Sequence, residues 1–270
     1  MNFSVLISSY CKDNAEELAD ALKSIWDNQT VKPAEIVIVK DGPLTLELDA
    51  VIEEFSQQAP VKIVPLEKNQ GLGIALAEGV KSCTYDYIAR MDSDDIAVPD
   101  RFEKQVVFME QHPDIAICGG MIQEFSDSPE NITGKRILPT NNDEIKRFLK
   151  WRSPYSHMTV FFKKQAILAA GNYQHFLSYE DYWLWARVMT NGNIGANLPD
   201  ILVNVRAGEN MLSRRKGWRF FKAEIALAQK LHSVGVLNCF EMYRNIMLRA
   251  STRLMPLFLL RIIYSYLRKK

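Results

Sequence analysis

The stretch that decides the fold runs from Tyr85 to Asp95 and reads YDYIARMDSDD. Its first part is apolar enough to form a buried strand, and three carboxylates follow at once, those of Asp92, Asp94 and Asp95. Open α/β sheets bind their ligands beyond the carboxyl ends of the strands. Hard cations such as magnesium and manganese take carboxylate ligands and bridge them to phosphates. The pattern therefore indicates either a metal site or a solvated acidic turn before the next helix.

The residues before this stretch alternate between the two kinds of regular structure. Apolar runs predict strands over residues 3–8, 35–39, 61–65 and 85–91, and helical patterns follow the first three of them. Asp13 and Glu16 have the spacing of a capping box for the first helix. Strands separated by helices predict βαβ units and a Rossmann-like, mostly parallel sheet flanked by helices.

The residues after the acidic stretch are less regular. Pro99 predicts a helix start as a first-turn proline. Strands are predicted over residues 115–125, 157–162 and 201–206, and helices over 141–151, 164–170 and 180–189. From about residue 216 the pattern is helical to the end of the sequence. We expect one catalytic domain over residues 1–215, with halves at 1–98 and 99–215, and a helical tail over 216–270.

Composition narrows the class of protein. The 270 residues are 47% hydrophobic and 24% charged, which excludes a disordered chain. The four cysteines lie far apart in the sequence and form no C-x-x-C pair, which favours reduced thiols. The first residues lack the basic region of a signal peptide. We therefore expect a cytoplasmic location.

The charge is divided unevenly along the chain. Residues 211–270 contain 13 Lys or Arg and 2 Asp or Glu, whereas the first 210 residues contain 20 and 30. The last residues are apolar but interrupted by Pro256 and Arg261, and are too short and too charged to span a bilayer. A basic amphipathic helix of this kind suits the surface of an anionic membrane. The alternative is a helix docked on the protein's own core; nucleic acid is disfavoured because no nucleic-acid-binding motif accompanies the charge.

Polar residues follow three of the predicted parallel strands and should meet at one edge of the sheet. They are Ser9 and Tyr10, then Asp41, then the acidic stretch. An aromatic ring to stack on a base, an acid for a base N–H and a metal for the pyrophosphate are what a nucleotide diphosphate requires. Taken singly, Tyr10 fits a packing role and Asp41 a plain turn. No Walker A sequence is present, and the glycines of residues 69–73 do not complete a dinucleotide fingerprint.

A second acidic pair, Glu180 and Asp181, stands at a predicted helix start. Negative charge is stabilised there by the helix dipole, so capping is one interpretation. The other is a general base in an aromatic pocket, where Trp183 or Trp185 would stack on an acceptor sugar.

Taken together and in order, six short segments resemble family 2 glycosyltransferases, which are inverting, use nucleotide sugars and have the type-A glycosyltransferase fold. The segments are SVLISSY from Ser4, VKDG from Val39, NQGL from Asn69, MDSDD from Met91, PDR from Pro99 and EDYWL from Glu180. The resemblance covers roughly residues 3–215. It implies that residues 1–98 bind the nucleotide and residues 99–215 the acceptor.

The resemblance also implies roles for single residues. Ser9, Tyr10 and Asp41 would bind the donor nucleotide, with the Tyr10 ring on the uracil. Asp94 would be the direct ligand of Mn²⁺ or Mg²⁺, with Asp92 at the metal or the ribose. Asp181 would be the catalytic base, and Glu180, Trp183 and Trp185 would bind the acceptor. Arg214 and Arg215 would reach phosphate from a segment that closes over the donor.

Three departures from the family pattern are visible. Lys40 stands where many members have a second acid, and the closing segment offers Ala207, Gly208 or Glu209 where others have a histidine. The Gln-x-x-Arg-Trp element of processive synthases is absent, which favours transfer of a single sugar. His157 falls near a position often taken by histidine, and we interpret it as a packed residue.

The predicted function follows from this resemblance. It is transfer of one galactose or glucose from a UDP-sugar, in β linkage, to a polyprenyl-diphosphate-linked saccharide during O-antigen or capsule synthesis, on the inner face of the membrane. Two other classes stay open at this point. A haloacid-dehalogenase-like phosphohydrolase would use Asp92 as nucleophile, and a non-catalytic module would only bind a nucleotide sugar.

Overall fold

The computed structural model describes residues 1–126, 128–206 and 217–250, without the side chain of Ala250. The strands of this part of the chain are β1 Ser4–Ser9, β2 Glu35–Lys40, β3 Val61–Pro65, β4 Tyr87–Met91, β5 Ile96–Ala97, β6 Ile115–Phe125, β7 Ile132–Arg136, β8 Phe161–Lys163 and β9 Ile194–Arg206. The α-helices are α1 Ala15–Ile25, α2 Leu46–Ser56, α3 Leu72–Ser82, α4 Arg101–Gln111, α5 Asn142–Leu149, α6 Lys164–Ala169, α7 Glu180–Thr190, α8 Trp218–Ser233 and α9 Cys239–Asn245. Arg214, Arg215 and the basic segment 251–270 lie outside the described residues.

The first four strands pair in parallel with one another, in the order β3-β2-β1-β4. Side chains alternate across this sheet, so Leu6 of β1 joins the core beneath α3 and α7, whereas Val5 and Ile7 join the core beneath α1 and α4. Both faces are covered by helices, which explains why these strands are nearly continuous apolar runs. The predicted strands 1 to 4 are confirmed.

The sheet becomes mixed beyond β4. The short strand β8 lies between β4 and β6 and is antiparallel to both, while β6 pairs with β9 in parallel. β5 pairs with β9 antiparallel and so fixes the chain just after the acidic stretch. The predicted α/β class with flanking helices is confirmed, and the parallel arrangement holds for its first four strands.

Several local predictions need correction. The first helix is capped by Asn14, whose side chain accepts from the backbone of Glu16 and Glu17, and the predicted capping box at Asp13 is wrong. α4 begins at Arg101, two residues after Pro99. His157 lies in a 3₁₀ turn rather than a strand. β5 and β7 were not predicted, and β9 begins at Ile194 instead of residue 201.

The two C-terminal helices, α8 and α9, pack on the catalytic part of the chain. Leu227 and Leu231 of α8 belong to the same buried cluster as Leu184 of α7. A π-helical turn, Ile246–Ala250, continues α9. Among the described residues, no helix is both long and apolar enough to cross a bilayer.

Candidate active site

Three carboxylates meet at the carboxyl end of β4. One oxygen each from Asp92, Asp94 and Asp95 lies within 4.8 Å of the others. Asp94 is exposed, Asp92 half-buried and Asp95 buried. Partial desolvation, together with the neighbouring charge of Asp92, raises the pKa of Asp94 to about 6. The pKa of Asp95 is also raised, first by burial and then by its two acidic neighbours. Such a cluster is suited to a divalent cation, because a cation removes the repulsion that raises both values.

Buried arginines hold the end of β4 in place. Arg90 is almost fully buried and forms an ion pair with Asp92. Arg101, at the start of α4, is fully buried and donates from Nη2 to the carbonyl oxygen of Arg90 at 2.7 Å. Its Nε donates to Gln105 at 3.1 Å. The PDR segment thus reaches back to support the strand that carries the acidic cluster.

Arg206 joins the last strand to the same cluster. Its backbone N–H donates to Oδ1 of Asp95 at 3.1 Å, and its Nε donates to the carbonyl oxygen of Asp94 at 3.4 Å. The guanidinium also pairs with Glu17 at 3.3 Å and with Asp20 at 3.5 Å, both on α1. Asp95 therefore links two strand ends, as a turn residue does, while Asp94 faces solvent.

Asp13 ties the first strand end to the acidic stretch and was missed as a site residue. Its Oδ2 accepts from Ser93 Oγ at 2.8 Å and from the backbone N–H of Tyr10 at 3.2 Å. Burial raises the pKa of Asp13, against the effect of these two hydrogen bonds. Tyr10 is 39% exposed, whereas Ser9 is buried. The Tyr10 ring is thus presented beside the cluster, and the donor contact of the Ser9 side chain stays a prediction.

The second strand end meets the same edge through Asp41. Its backbone N–H donates to the carbonyl oxygen of Ser9 at 2.8 Å. Its carboxylate is buried and accepts from the backbone N–H groups of Gln70 at 2.7 Å and Gly71 at 3.0 Å. Asp41 therefore fixes the NQGL loop at the start of α3. Its contact with a base stays a prediction.

Tyr173 is the residue on which the charges of both acidic groups act. Burial raises the pKa of Tyr173, Arg90 opposes the rise, and Asp181, Asp92 and Glu180 add to it. Charges from β4 and from α7 therefore act on one hydroxyl group. That Asp181 acts at the same site as the predicted metal ligands stays a prediction.

His157 packs within this region. Its Nε2 lies 3.0 Å from the Tyr173 hydroxyl, and its ring contacts Tyr173 and Trp185. Desolvation and the charge of Arg90 lower the pKa of His157 well below its usual value, which keeps the ring neutral. This agrees with our interpretation of His157 as a packed residue.

Glu180 and Asp181 are the first two residues of α7, where the helix dipole favours negative charge. Both are half-buried. Oδ2 of Asp181 accepts from Ser153 Oγ at 3.4 Å. Tyr179, at the N-cap position, makes no side-chain capping bond. A carboxylate held at a helix start and partly open to solvent can accept a proton from a bound hydroxyl group.

The stacking role predicted for Trp183 and Trp185 is contradicted by the structure. Trp185 has no exposed surface and Trp183 has 6%, because this face of α7 packs into the core. The Trp183 ring is also covered by the cations of Arg187 and Lys230. The indole of Trp151 is 45% exposed, and the guanidinium of Arg244 lies 3.6 Å from the centre of its ring. It stands two residues before Ser153 and lines a shallow pocket of about 430 Å³.

Comparisons of the sequence with known proteins point to one family. The model of "Glycosyl transferase family 2" matches residues 4–171. The amylovoran biosynthesis glycosyltransferase AmsE of Erwinia amylovora is 42% identical over 99% of both chains. An Escherichia coli relative, the UDP-Gal:alpha-D-GlcNAc-diphosphoundecaprenol beta-1,3-galactosyltransferase, is 37% identical over 94% of this chain and 92% of its own.

The solved structures show the fold. S. aureus TarS 1-349 in complex with UDP-GlcNAc matches 91% of this chain and 70% of its own, with a TM-score of 0.67 and 19% identity. A mannosyltransferase from Pyrobaculum calidifontis, solved with GDP-Man and Mn²⁺, matches 93% of this chain and 69% of its own, with a TM-score of 0.64 and 14% identity. The type-A fold expected from the sequence is thereby confirmed. The chain belongs to glycosyl transferase family 2 and is a glycosyltransferase.

Proposed function

We propose that the protein is an inverting, metal-dependent enzyme that transfers a single hexose, galactose or glucose, from a UDP-sugar to a polyprenyl-diphosphate-linked saccharide. The observation that carries the proposal is the cluster formed by the carboxylates of Asp92, Asp94 and Asp95 at the carboxyl end of β4. Asp13 ties this cluster to the strand end that carries Tyr10, and Asp181 stands at the start of α7. The relative that uses UDP-Gal and a diphosphoundecaprenol acceptor supports the choice of substrates. Membership of the family leaves the phosphohydrolase and the non-catalytic module without support.

The carboxylate oxygens at this site fit a divalent metal. Asp94 is exposed, and partial desolvation with the charge of Asp92 raises its pKa to about 6, so its carboxylate is mostly ionised at neutral pH, as a metal ligand must be. Asp94, with help from Asp92, would hold Mn²⁺ or Mg²⁺. When bound, the ion would offset the negative charge of the leaving diphosphate. Asp95 accepts from the backbone N–H of Arg206 and would serve the turn that joins the two strand ends.

The protein's own residues would carry the other steps. Tyr10 would stack on the base, and Asp41 would hold the loop beside it. Asp181 would remove a proton from the acceptor hydroxyl, whose oxygen attacks the anomeric carbon as the bond to the nucleoside diphosphate breaks. The oxygen enters opposite the leaving group, so an α-linked donor gives a β-linked product. Arg214 and Arg215, outside the described residues, would contact phosphate.

The acceptor side of the proposal rests on α7 and the tail. Glu180 would bind the acceptor beside Asp181. The basic segment after Arg249 would hold the enzyme on the anionic inner face of the cell membrane, where a polyprenyl-linked acceptor is found. The absence of the Gln-x-x-Arg-Trp element supports the transfer of one sugar only. Nucleic acid has no part in the proposal.

The test is an assay of UDP release and product linkage with UDP-galactose and UDP-glucose on a polyprenyl-diphosphate N-acetylglucosamine acceptor. We expect activity with Mn²⁺ that EDTA removes. Asp94→Ala should abolish metal-dependent transfer, and Asp181→Asn should lower turnover by about 100-fold or more while leaving UDP binding unchanged. Asp114→Ala is the matched control, because Asp114 is exposed and precedes β6 at the opposite edge of the sheet.

Three results would contradict the proposal. Full metal-dependent transfer by Asp94→Ala would remove the metal assignment. Near-normal turnover by Asp181→Asn would remove the assignment of the base. Product with retained anomeric configuration would exclude the single displacement altogether.

A further inference from the structure

The C-terminal helices lie outside residues 4–171, which the family model matches, but one of their acids reaches the active-site helix. Glu224 of α8 is 3% exposed. It is one of two acidic residues after residue 210, and it lies on the buried side of α8 with Leu227 and Leu231. Burying a carboxylate costs several kcal/mol unless it is paired and hydrogen-bonded. The partners of the Glu224 carboxylate therefore indicate what this buried charge does.

Both oxygens of Glu224 are engaged. Oε1 accepts from the Tyr179 hydroxyl at 2.6 Å, and Oε2 pairs with Nε of Arg249 at 3.0 Å. Arg249 also donates from Nη1 to the carbonyl oxygen of Trp151 at 2.8 Å. The carboxylate thus connects three segments that are distant in sequence: the start of α7, the end of the C-terminal helices and the loop after α5.

The first of these segments carries Asp181. Tyr179 is the N-cap residue of α7, and Ser178 before it has a φ of +58°, a conformation that costs a non-glycine residue on the order of 1 kcal/mol or more. The helix start makes no side-chain capping bond of its own. The hydrogen bond from Tyr179 to Glu224 therefore fixes the residue through which the chain enters α7, two positions before Asp181.

The loop after α5 carries Ser153, which donates to Asp181. The C-terminal helices hold this loop as well, since Asn245 donates to the carbonyl oxygen of Lys150 at 2.7 Å and Arg249 to that of Trp151. Both segments that meet at the Asp181 carboxylate are thus anchored by α8, α9 and the turn after it.

We propose that Glu224 and Arg249 are positioning residues for the reaction: through Tyr179 and Trp151 they set the place of the Asp181 carboxylate. The inference rests on the proposed role of Asp181 as the base. It makes the C-terminal helices part of the catalytic apparatus, in addition to any function of the segment that follows them.

The experiment compares Glu224→Gln and Tyr179→Phe with wild type in the full-length chain. Glu224→Gln keeps the shape of the side chain but removes the charge that pairs with Arg249. Tyr179→Phe removes one hydroxyl and leaves the ion pair intact, so it serves where the first variant folds poorly. Glu110→Gln is the matched control, because Glu110 lies on α4, which packs on the other face of the sheet from α7, and it pairs with the amino terminus at 3.0 Å.

Two readouts separate positioning from plain stability. We expect both variants to lower kcat on the order of 10- to 100-fold, with the donor KM unchanged, since an error of about 1 Å in a reacting group costs about that much. Hydrogen exchange measured by mass spectrometry should speed up in the peptide that spans residues 176–184, and Glu110→Gln should show neither effect.

The exchange readout does not depend on the reaction. Wild-type exchange at residues 176–184 in both variants, or a wild-type kcat per folded molecule, would overturn the positioning role. A wild-type enzyme that transfers no sugar, or an active Asp181→Asn variant, would instead overturn the proposed function. A fall in melting temperature with unchanged kcat would show that Glu224 serves stability alone.

Discussion

Replacing Gly73 with alanine has two effects of opposite sign on the stability of the protein. Gly73 lies in the first turn of α3, where alanine favours the helix by about 1 kcal/mol. A Cβ atom at this position would stand 2.5 Å from the carbonyl oxygen of Gln174 and 2.9 Å from its carbonyl carbon. Ordinary contacts of carbon with oxygen are about 3.3 Å or longer, so the backbone of Gln174 must move by about 0.8 Å.

The backbone of Gln174 belongs to the loop that leads from α6 to α7 and carries Tyr173. Overpacking of this kind costs about 1–3 kcal/mol, which on balance exceeds the gain in helix propensity. We expect Gly73→Ala to lose about 1 kcal/mol of stability. The displaced loop leads into α7, whose second residue is Asp181. Turnover should therefore fall by about tenfold or more even in folded protein.

The assay is urea unfolding followed by turnover measured on protein that remains folded. Gly79→Ala is the comparison within the same helix, because its Cβ would meet only the side chains of Leu6 and Val39. That variant should lose stability in the core and keep its turnover. A Gly73→Ala protein that gains about 1 kcal/mol, as helix propensity alone requires, with wild-type turnover would refute the packing of this loop on α3.

Two further predictions concern single side chains. Ser93→Ala removes the 2.8 Å hydrogen bond to Asp13, which should cost about 1–2 kcal/mol and weaken UDP binding several-fold in calorimetry; unchanged affinity would exclude a link between Tyr10 and the acidic stretch. Burial raises the pKa of Cys83 and of Cys118 to about 12, so iodoacetamide at pH 8 should leave both unmodified until urea is added, as peptide mass spectrometry will show. The exposed thiols that should react in native protein are Cys11 and Cys239.

The part of the fold that could be predicted is the part in which local patterns suffice. Strands β1, β2 and β4 are buried on both faces, so their apolar runs identify them without knowledge of their partners. β9 was predicted too short because Gly195, Asn197 and Pro199 interrupt its apolar pattern. β8 has three residues, and only its neighbours in the sheet make it a strand.

Some residues of the candidate site could likewise be predicted from local patterns, and others could not. The acidic stretch was recognisable because its carboxylates are adjacent in sequence. Arg90 was counted with its apolar strand, although a lone arginine in a buried run is a signal that a charged partner is near. Asp13 was assigned to capping because the sequence cannot show that Asn14 takes that role. Glu224 offered a signal too, as an acid on the apolar side of a basic helix.

The antiparallel strand β8 has a consequence for attempts to divide the chain. It covers the edge of β4 that the first 98 residues would otherwise leave open, and the guanidinium of Arg101 covers the end of the same strand. A fragment of residues 1–98 would expose a short apolar edge with unpaired N–H and C=O groups, which is a template for aggregation. A stable fragment therefore cannot be obtained by cutting after residue 98. It would have to keep residues 99–163, and with them strand β8, which covers the edge of β4.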